Sequence, residues 1–166
     1  GLLGFGWFVD RVGTRLGYAV SVVFWSVAGM LHALARSAFG FGLARLALGL
    51  GEAGNYPAAV KTVAEWFPKR ERALATGLFN AGTSLGVVAA LVLVPPVLTR
   101  YGWQTVFLVT GALGFVWLLF WWAFYEVPTR QKRLSGEERD YIAAGQEPES
   151  GENERISWFK LFTFPQ

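Results

Sequence analysis

The sequence contains no cysteine and little charge, and both shortages restrict what the chain can be. Without cysteine there is no disulfide framework and no cysteine-ligated metal site. Charged residues make up 16% of the 166 residues, whereas 53% are hydrophobic, and the mean hydropathy is +0.35. Soluble domains usually carry about a quarter charged residues. The chain therefore has too few charges for a surface that faces water on all sides.

Motifs for hydrolysis and metal chemistry are absent as well. The sequence has no Walker loop, no cluster of metal ligands and no nucleophile elbow. An ATP-driven transporter or a membrane hydrolase therefore has no support, and we expect no enzyme activity, cofactor or metal. The net charge of +3 could suit nucleic acid. Lys and Arg fall mostly between long apolar runs, however, which is typical of membrane proteins, so we expect no nucleic-acid partner.

Four apolar runs are each long enough to cross a bilayer, which takes roughly 20 helical residues. They cover about residues 16–34, 38–64, 73–98 and 105–125. Residues 1–8 look like the end of a preceding span without signal-peptide features, and we interpret both chain ends as cut. Short connections predict antiparallel neighbours, so residues 1–127 are expected to form an all-α, polytopic helix bundle in the lipid bilayer.

The distribution of Lys and Arg predicts how the bundle is oriented. The loops at 10–15, 68–72 and 128–166 hold most of the basic residues between the spans, whereas the opposite loops hold only Arg36 and Arg100. Because cytoplasmic loops carry the Lys/Arg excess, the first three loops are expected in the cytoplasm and the chain in a bacterial inner membrane.

Residues 128–166 are polar and are expected to form a cytoplasmic loop that leads towards a further span. Ser135 and Glu138 have the spacing of a capping box, which predicts a short helix to about Ala144. An acidic linker over 146–154 and an amphipathic interfacial helix over 157–164 are predicted to follow.

The first motif lies between residues 6 and 15 and follows the pattern G-x-x-x-D-R-x-G-x-R. Glycine allows a tight turn and close packing there, and an Asp can face the positive end of a helix. The motif resembles the signature loop of the major facilitator superfamily, which joins helices two and three and latches the two halves of those transporters on the cytoplasmic side. An ordinary charged turn is the alternative. The candidate residues are Gly6, Asp10, Arg11, Gly13 and Arg15.

The second signal is an acid and a base inside an apolar helix. Arg45 and Glu52 are nearly two turns apart, so both lie on one face, and Asn55 and Tyr56 extend that face. Charges at membrane depth usually line a water-filled pathway or pair with each other. Glu52 is a candidate proton carrier and Arg45 a candidate clamp for an anionic substrate. The alternative is an internal ion pair that only fixes helix packing.

The third signal is a glycine-rich polar face on the next span. Asn80, Thr83 and Ser84 could donate hydrogen bonds to a polyhydroxylated ligand. Gly82 and Gly86 form a GxxxG pattern, which equally indicates a helix–helix contact.

Other charges in the spans have ordinary interpretations. Lys61 and Glu65 have the spacing of a helix ion pair, and Glu126 ends a span. His32 lies near the outer end of its span and is expected to be structural.

Longer segments narrow the resemblance. The stretches RLALGLGEAGNYPA at 45–58, EWFP at 65–68, RERA at 70–73 and YGWQ at 101–104, together with residues 77–86, resemble the anion:cation symporter branch of the superfamily. That branch includes transporters of hexuronates, galactonate and related sugar acids. The resemblance runs from the end of helix two to the start of helix seven, which implies a partial N-terminal six-helix half of a twelve-helix transporter. Residues 82–94 lack the Gly-Pro-rich motif of drug antiporters.

The resemblance implies proton-coupled uptake of a small organic anion by alternating access. Arg45 and Glu52 match the Arg and Glu of helix four that serve the central cavity and proton coupling in that branch. Helix one and the C-terminal half, missing from this chain, would supply further site residues. Alternatives are an uncoupled facilitator or antiporter with Arg45 and Glu52 as a structural gate pair, coupling to sodium, or a non-transporting sensor or scaffold.

Overall fold

A computed structural model describes residues 2–146, and these residues form seven α-helices and no strand. This confirms the predicted all-α helix bundle. The helices are α1 (Leu2–Val12), α2 (Thr14–Leu31, extended by a 3₁₀ turn, His32–Leu34), α3 (Ala38–Glu52), α4 (Asn55–Trp66), α5 (Arg72–Tyr101), α6 (Trp103–Phe124) and α7 (Gly136–Ala144).

Helix α2 is the centre of the bundle. It packs most extensively against α6 and α3, and it also contacts α1 and α4. Its buried positions are mainly small: Thr14, Gly17, Ala19, Ser21, Val22, Ser26 and Ala28. In a bilayer the lipid tails are as apolar as the core, so helices associate through close packing, which small side chains permit.

Glycines on the neighbouring helices complete these close contacts. A Cβ atom at Gly111 of α6 would lie 2.8 Å from the carbonyl oxygen of Ser26. A Cβ atom at Gly51 of α3 would lie 2.7 Å from the backbone nitrogen of Trp25. Both distances are too short for any larger residue unless the backbone of α2 moves away. Helices α3 and α6 can therefore lie this close to α2 only because Gly51 and Gly111 carry a hydrogen atom in place of a side chain.

The predicted single span over 38–64 is broken into α3 and α4. Pro57 lacks the amide N–H that would reach the carbonyl of Ala53, and its ring clashes with that carbonyl in a regular helix. The hydroxyl of Ser21 donates to the carbonyl oxygen of Gly51 at 2.5 Å, and the amide of Gly54 donates to the same oxygen at 3.3 Å, so this carbonyl keeps hydrogen-bond partners at the break. The break lies between Glu52 and Asn55 and so separates Arg45 and Glu52 from Asn55 and Tyr56, the other two residues of the second signal.

Two turns require glycine for their backbone geometry. Gly13, before α2, has a φ of 87°, and Gly102, between α5 and α6, has a φ of 84°. Side chains other than hydrogen rarely tolerate these angles. Gly13 therefore fixes the direction in which α2 leaves the signature loop.

Most of the surface of α5 and α6 is apolar and open. Within the described residues, three helical segments are long and apolar enough to cross a membrane: Thr14–Leu34, Arg72–Tyr101 and Trp103–Phe124. No residue of α5 is buried, and a Cβ atom at Gly82 or Gly86 would meet nothing within 4 Å. The GxxxG pattern therefore makes no helix contact among the described residues.

Helix α7 docks onto the turn between α4 and α5. Ser135 and Glu138 form the predicted capping box, and the Ser135 backbone lowers the pKa of the Glu138 carboxyl. The Tyr141 hydroxyl hydrogen-bonds with Arg70 and Glu71, and the amide of Lys69 donates to the Gly145 carbonyl at 3.0 Å. The predicted interfacial helix over 157–164, and all but the first residue of the linker, lie outside the described residues.

We expect Gly111→Ala to destabilise the protein, because the new methyl group would press on the backbone of Ser26. Overpacking of this kind costs about 1–3 kcal/mol. Tryptophan fluorescence during unfolding of the detergent-solubilised protein would measure the loss. Gly29→Ala is the matched control, since position 29 lies on α2 with nothing within 4 Å of a Cβ atom. Equal stability of the two variants would contradict the close contact.

Candidate functional site

The signature loop is attached to α4 through its aspartate. Lys61 of α4 donates to a carboxylate oxygen of Asp10 at 2.8 Å and to the carbonyl oxygen of Val9 at 3.3 Å. Asp10 lies near the C-terminal end of α1, and its side chain pairs with Lys61 of α4. The neighbouring Arg11 is exposed, with its guanidinium 4.9 Å from the centre of the Trp7 ring.

The last arginine of the loop is attached to the end of α6. Arg15 donates to a carboxylate oxygen of Glu126 at 2.5 Å and to the carbonyl oxygen of Trp122 at 2.8 Å. The indole N–H of Trp121 donates to the carbonyl oxygen of Arg15 at 3.0 Å. The guanidinium also lies 4.9 Å from the ring centre of Trp122. Together with the Asp10–Lys61 pair, these contacts form what we call the signature-loop network. Glu126 therefore belongs to this network and does not only end a span.

A third contact links α2, α4 and the end of α6. The hydroxyl of Thr14 donates to one carboxylate oxygen of Glu65 at 2.6 Å, and the hydroxyl of Tyr125 donates to the other at 2.5 Å. Burial raises the pKa of the Tyr125 phenol, and the hydrogen bond and charge of Glu65 raise it further. The neutral phenol is therefore the form that the folded protein favours.

The predicted helix pair between Lys61 and Glu65 is wrong. Each residue is recruited by a different partner, Asp10 in one case and Thr14 with Tyr125 in the other. These partners lie 51 to 60 residues away along the chain, and no local spacing rule identifies them. Thr14, Glu65, Tyr125 and Glu126 are thus members of the network that sequence reasoning missed.

The acid and base in α3 lie on an open face. Ala44 and Gly51 of α3 are buried, whereas Arg45 and Glu52, one position further along, are both exposed. Among the described residues no ion pair or hydrogen bond joins Arg45 to Glu52, and neither side chain has another polar partner. The alternative of an internal ion pair is therefore not supported, and the described residues leave Glu52 exposed.

Asn55 and Tyr56 form the first turn of α4, directly after the break. Tyr56 is 54% exposed and lines a groove of about 360 Å³ between α1 and α4. Gly6 and Asp10 line the same groove, so the structure brings part of the signature loop next to Tyr56, which was predicted to line the central cavity. The first amides of a helix lack intrahelical partners and favour anions. The start of α4 at Asn55 is therefore a favourable position for an anionic group.

The polar face of α5 stands apart from these groups. Asn80 and Thr83 are exposed, and neither has a side-chain hydrogen bond among residues 2–146. The structure therefore does not bring them into contact with Arg45 or Glu52. His32, by contrast, is buried: its Nδ1 lies 2.9 Å from the Ala28 carbonyl oxygen, and its ring stacks on Phe107.

Comparison with known proteins identifies the family. The family model described as Major Facilitator Superfamily matches residues 1–165. The chain therefore belongs to the major facilitator superfamily, a class of multi-pass membrane proteins, and the resemblance inferred from the signature loop is confirmed.

The chain is also similar to curated members of that superfamily. It is 43% identical over 158 residues to a galacturonate transporter of Dickeya chrysanthemi, covering 94% of this chain and 46% of that protein. It is 45% identical over 142 residues to a hexuronate transporter of Escherichia coli, covering 86% and 33%. A D-galactonate transporter of Escherichia coli is 36% identical over 140 residues, covering 84% and 33%. The chain thus spans between a third and a half of the length of these relatives.

The Tyr125–Glu65 contact predicts a change in alkaline stability. Because the folded-state pKa of Tyr125 is raised, its contribution to stability is complete below its ordinary pKa of about 10 and is lost as pH rises through the folded-state value. We expect Tyr125→Phe to lose less stability than the parent between neutral pH and pH values above about 10. Unfolding monitored by fluorescence across that range would measure this.

The control for this experiment is Tyr101→Phe, which removes an exposed hydroxyl at the end of α5. We expect its pH profile to follow the parent. If Tyr125→Phe also followed the parent, the buried phenol would not be coupled to folding in the way described.

Proposed function

We propose that this chain is part of a secondary active transporter that takes up sugar acids, such as hexuronates or aldonates, across a bacterial inner membrane. The observation that carries the proposal is the 43–45% identity to galacturonate and hexuronate transporters over most of the chain. The aligned region includes the helix that holds Arg45 and Glu52, since it covers 94% of the chain in the first case.

Arg45 is suited to bind the carboxylate that all sugar acids share. A guanidinium forms two parallel hydrogen bonds to a carboxylate and stays charged at any accessible pH. Arg45 is exposed and has no polar partner among the described residues, so its donors are open to a ligand. The break after Glu52 adds a second favourable element, because the N-terminal ends of interrupted helices attract anionic groups in transporters.

Glu52 is suited to carry the coupled proton. It is the last residue of α3, on the same exposed side as Arg45 and next to the break. In the proposed cycle Glu52 takes up a proton from the outer side while the substrate carboxylate binds Arg45. The loaded protein then opens inward, Glu52 releases its proton to the cytoplasm, and the empty carrier returns. Sodium coupling would need oxygen ligands in addition to this single carboxylate.

The signature-loop network is proposed to hold the cytoplasmic ends of the helices together during this cycle. Its contacts connect α1 with α4 and α2 with α4 and α6. A unit braced in this way moves as one body, which is what alternating access by rocking requires. Asn80 and Thr83 on α5 are proposed to contact the hydroxyl groups of the substrate from another side of the cavity.

The first test is uptake of labelled galacturonate and galactonate by the full-length protein in proteoliposomes, with and without an inward proton gradient. We expect accumulation that requires the gradient in the parent. Glu52→Gln keeps the shape but cannot exchange a proton, so we expect only equilibration in this variant. Glu137→Gln is the matched control, because it makes the same change on the exposed first turn of α7.

Accumulation without a gradient, or unchanged accumulation in Glu52→Gln, would contradict proton coupling through this residue. Equilibration of the labelled sugar acid that is the same in the parent and in Glu52→Gln would indicate a facilitator instead.

The second test concerns substrate binding at Arg45. Removing a charged hydrogen-bond partner costs about 1.5–3 kcal/mol, so we expect Arg45→Gln to raise KM for galacturonate by about 10- to 100-fold. Arg45→Lys keeps the charge without the planar pair of donors and should give an intermediate KM. Arg36→Gln, which removes an exposed cation outside the proposed site, is the control. An unchanged KM in Arg45→Gln would exclude a direct contact with the carboxylate.

A further inference from the structure

A cluster of positive charge follows the last helix of the bundle. Arg130, Lys132 and Arg133 line a cleft of about 280 Å³ together with Arg15 and Glu126. Glu126 is engaged by Arg15, so it neutralises none of the other three cations. Among residues 2–146 the side chains of Arg130 and Lys132 form no hydrogen bond or ion pair, and Arg133 lies 5.5 Å from the ring centre of Phe124. The cleft thus has three positive charges that no acidic residue among residues 2–146 neutralises.

An aromatic groove lies directly beside this cationic cleft. It has a volume of about 410 Å³ and is lined by Trp66, Trp117, Phe120, Trp121, Phe124 and Tyr125. Phe124 and Tyr125 line both the cleft and the groove, so the two are continuous. Several of these side chains are open: Trp117, Phe120 and Phe124 are 51%, 55% and 60% exposed.

The position of this pair of features relates them to the bilayer. Apart from Trp66 of α4, the aromatic groove is lined by the last turns of α6 and the residue after them. Helix α6 is long and apolar enough to span a membrane, and the cations follow its end. Tryptophan and tyrosine favour the level of the lipid headgroups, and basic pockets beside membrane helices bind anionic headgroups. An apolar surface at one depth and a cationic surface just beyond it match the two parts of a phospholipid.

We propose that this combined surface is a binding site for an anionic phospholipid. The headgroup phosphate would lie against Arg130, Lys132 and Arg133, and an acyl chain would lie along the aromatic groove. Three positive charges that are not paired within the described part of the chain favour an anionic lipid over a zwitterionic one. The aromatic groove distinguishes a lipid from a free phosphate, which would occupy the cationic cleft alone. The site is separate from Arg45 and Glu52 and does not depend on the proposed transport function.

The test uses the full-length protein reconstituted in phosphatidylcholine vesicles that contain a small fraction of brominated lipid. Bromine on the acyl chain quenches nearby tryptophans, and Trp117 and Trp121 line the proposed groove. Titration with brominated phosphatidylglycerol and, separately, with brominated phosphatidylcholine gives the preference for the anionic lipid. We expect a clear preference for phosphatidylglycerol in the parent.

The double variant Arg130→Gln/Lys132→Gln removes two cations from the cleft. Each basic residue near the membrane surface contributes about 1 kcal/mol, or about fivefold, so we expect the preference to fall by roughly 25-fold or to disappear. Arg36→Gln/Arg100→Gln is the matched control, because it also removes two exposed cations but at other loops. All four residues are exposed, so neither double variant is expected to disturb folding.

Three results would overturn the proposal. Equal quenching by the two brominated lipids in the parent would exclude anionic selectivity. Equal losses in the two double variants would assign the preference to overall surface charge. Abolition of the preference by inorganic phosphate, but not by chloride at the same ionic strength, would identify the cleft as a site for a free anion.

Discussion

The bundle depends on how closely the backbone of α2 is approached by its neighbours. Gly51 of α3 lies against Trp25, and Gly111 of α6 lies against Ser26, one residue further along α2. A membrane interior offers no hydrophobic drive for helices to associate, so these close contacts must supply the packing. They also fix where α3 ends, because Ser21 of α2 reaches the carbonyl of Gly51 at the break. The open face with Arg45 and Glu52 is therefore positioned by contacts on a neighbouring face of α3.

The end of the bundle at the signature loop is held by a different kind of interaction. Asp10–Lys61, Arg15–Glu126 and the two hydroxyls on Glu65 connect four helices through charge-assisted hydrogen bonds. Exposed ion pairs contribute little to stability one at a time, but networks with fixed geometry hold orientation well. Gly13 brings the chain into this network at a backbone angle that other residues avoid. The signature loop thus acts as a connector between helices and not simply as a charged turn.

The sequence was informative where a property is local. The apolar runs predicted helices close to α2, α5 and α6, and the Ser135–Glu138 spacing predicted the capping box of α7. The shared face of Arg45 and Glu52 follows from helical periodicity alone. What could not be predicted involves contacts across the fold. The last turn of α3, which ends at Glu52, includes a hydrogen bond from Ser21, 30 residues earlier, to the Gly51 carbonyl. Lys61 pairs with Asp10 and not with Glu65 because tertiary packing places Asp10 within reach.

The signature loop and the Arg45–Glu52 face differ in whether their charged side chains have partners among the described residues, and this difference bears on function. Every charged residue of the signature loop has a partner: Asp10 has Lys61, Arg11 has the Trp7 ring, and Arg15 has Glu126. Arg45 and Glu52 have none among residues 2–146, although they lie within an apolar helix. Unpaired charges at membrane depth are costly, so they persist where water, a ligand or another part of the protein meets them. An acid and a base without a partner beside a helix break agree with the proposed transport cavity, whereas a static structural pair would bring the two side chains together.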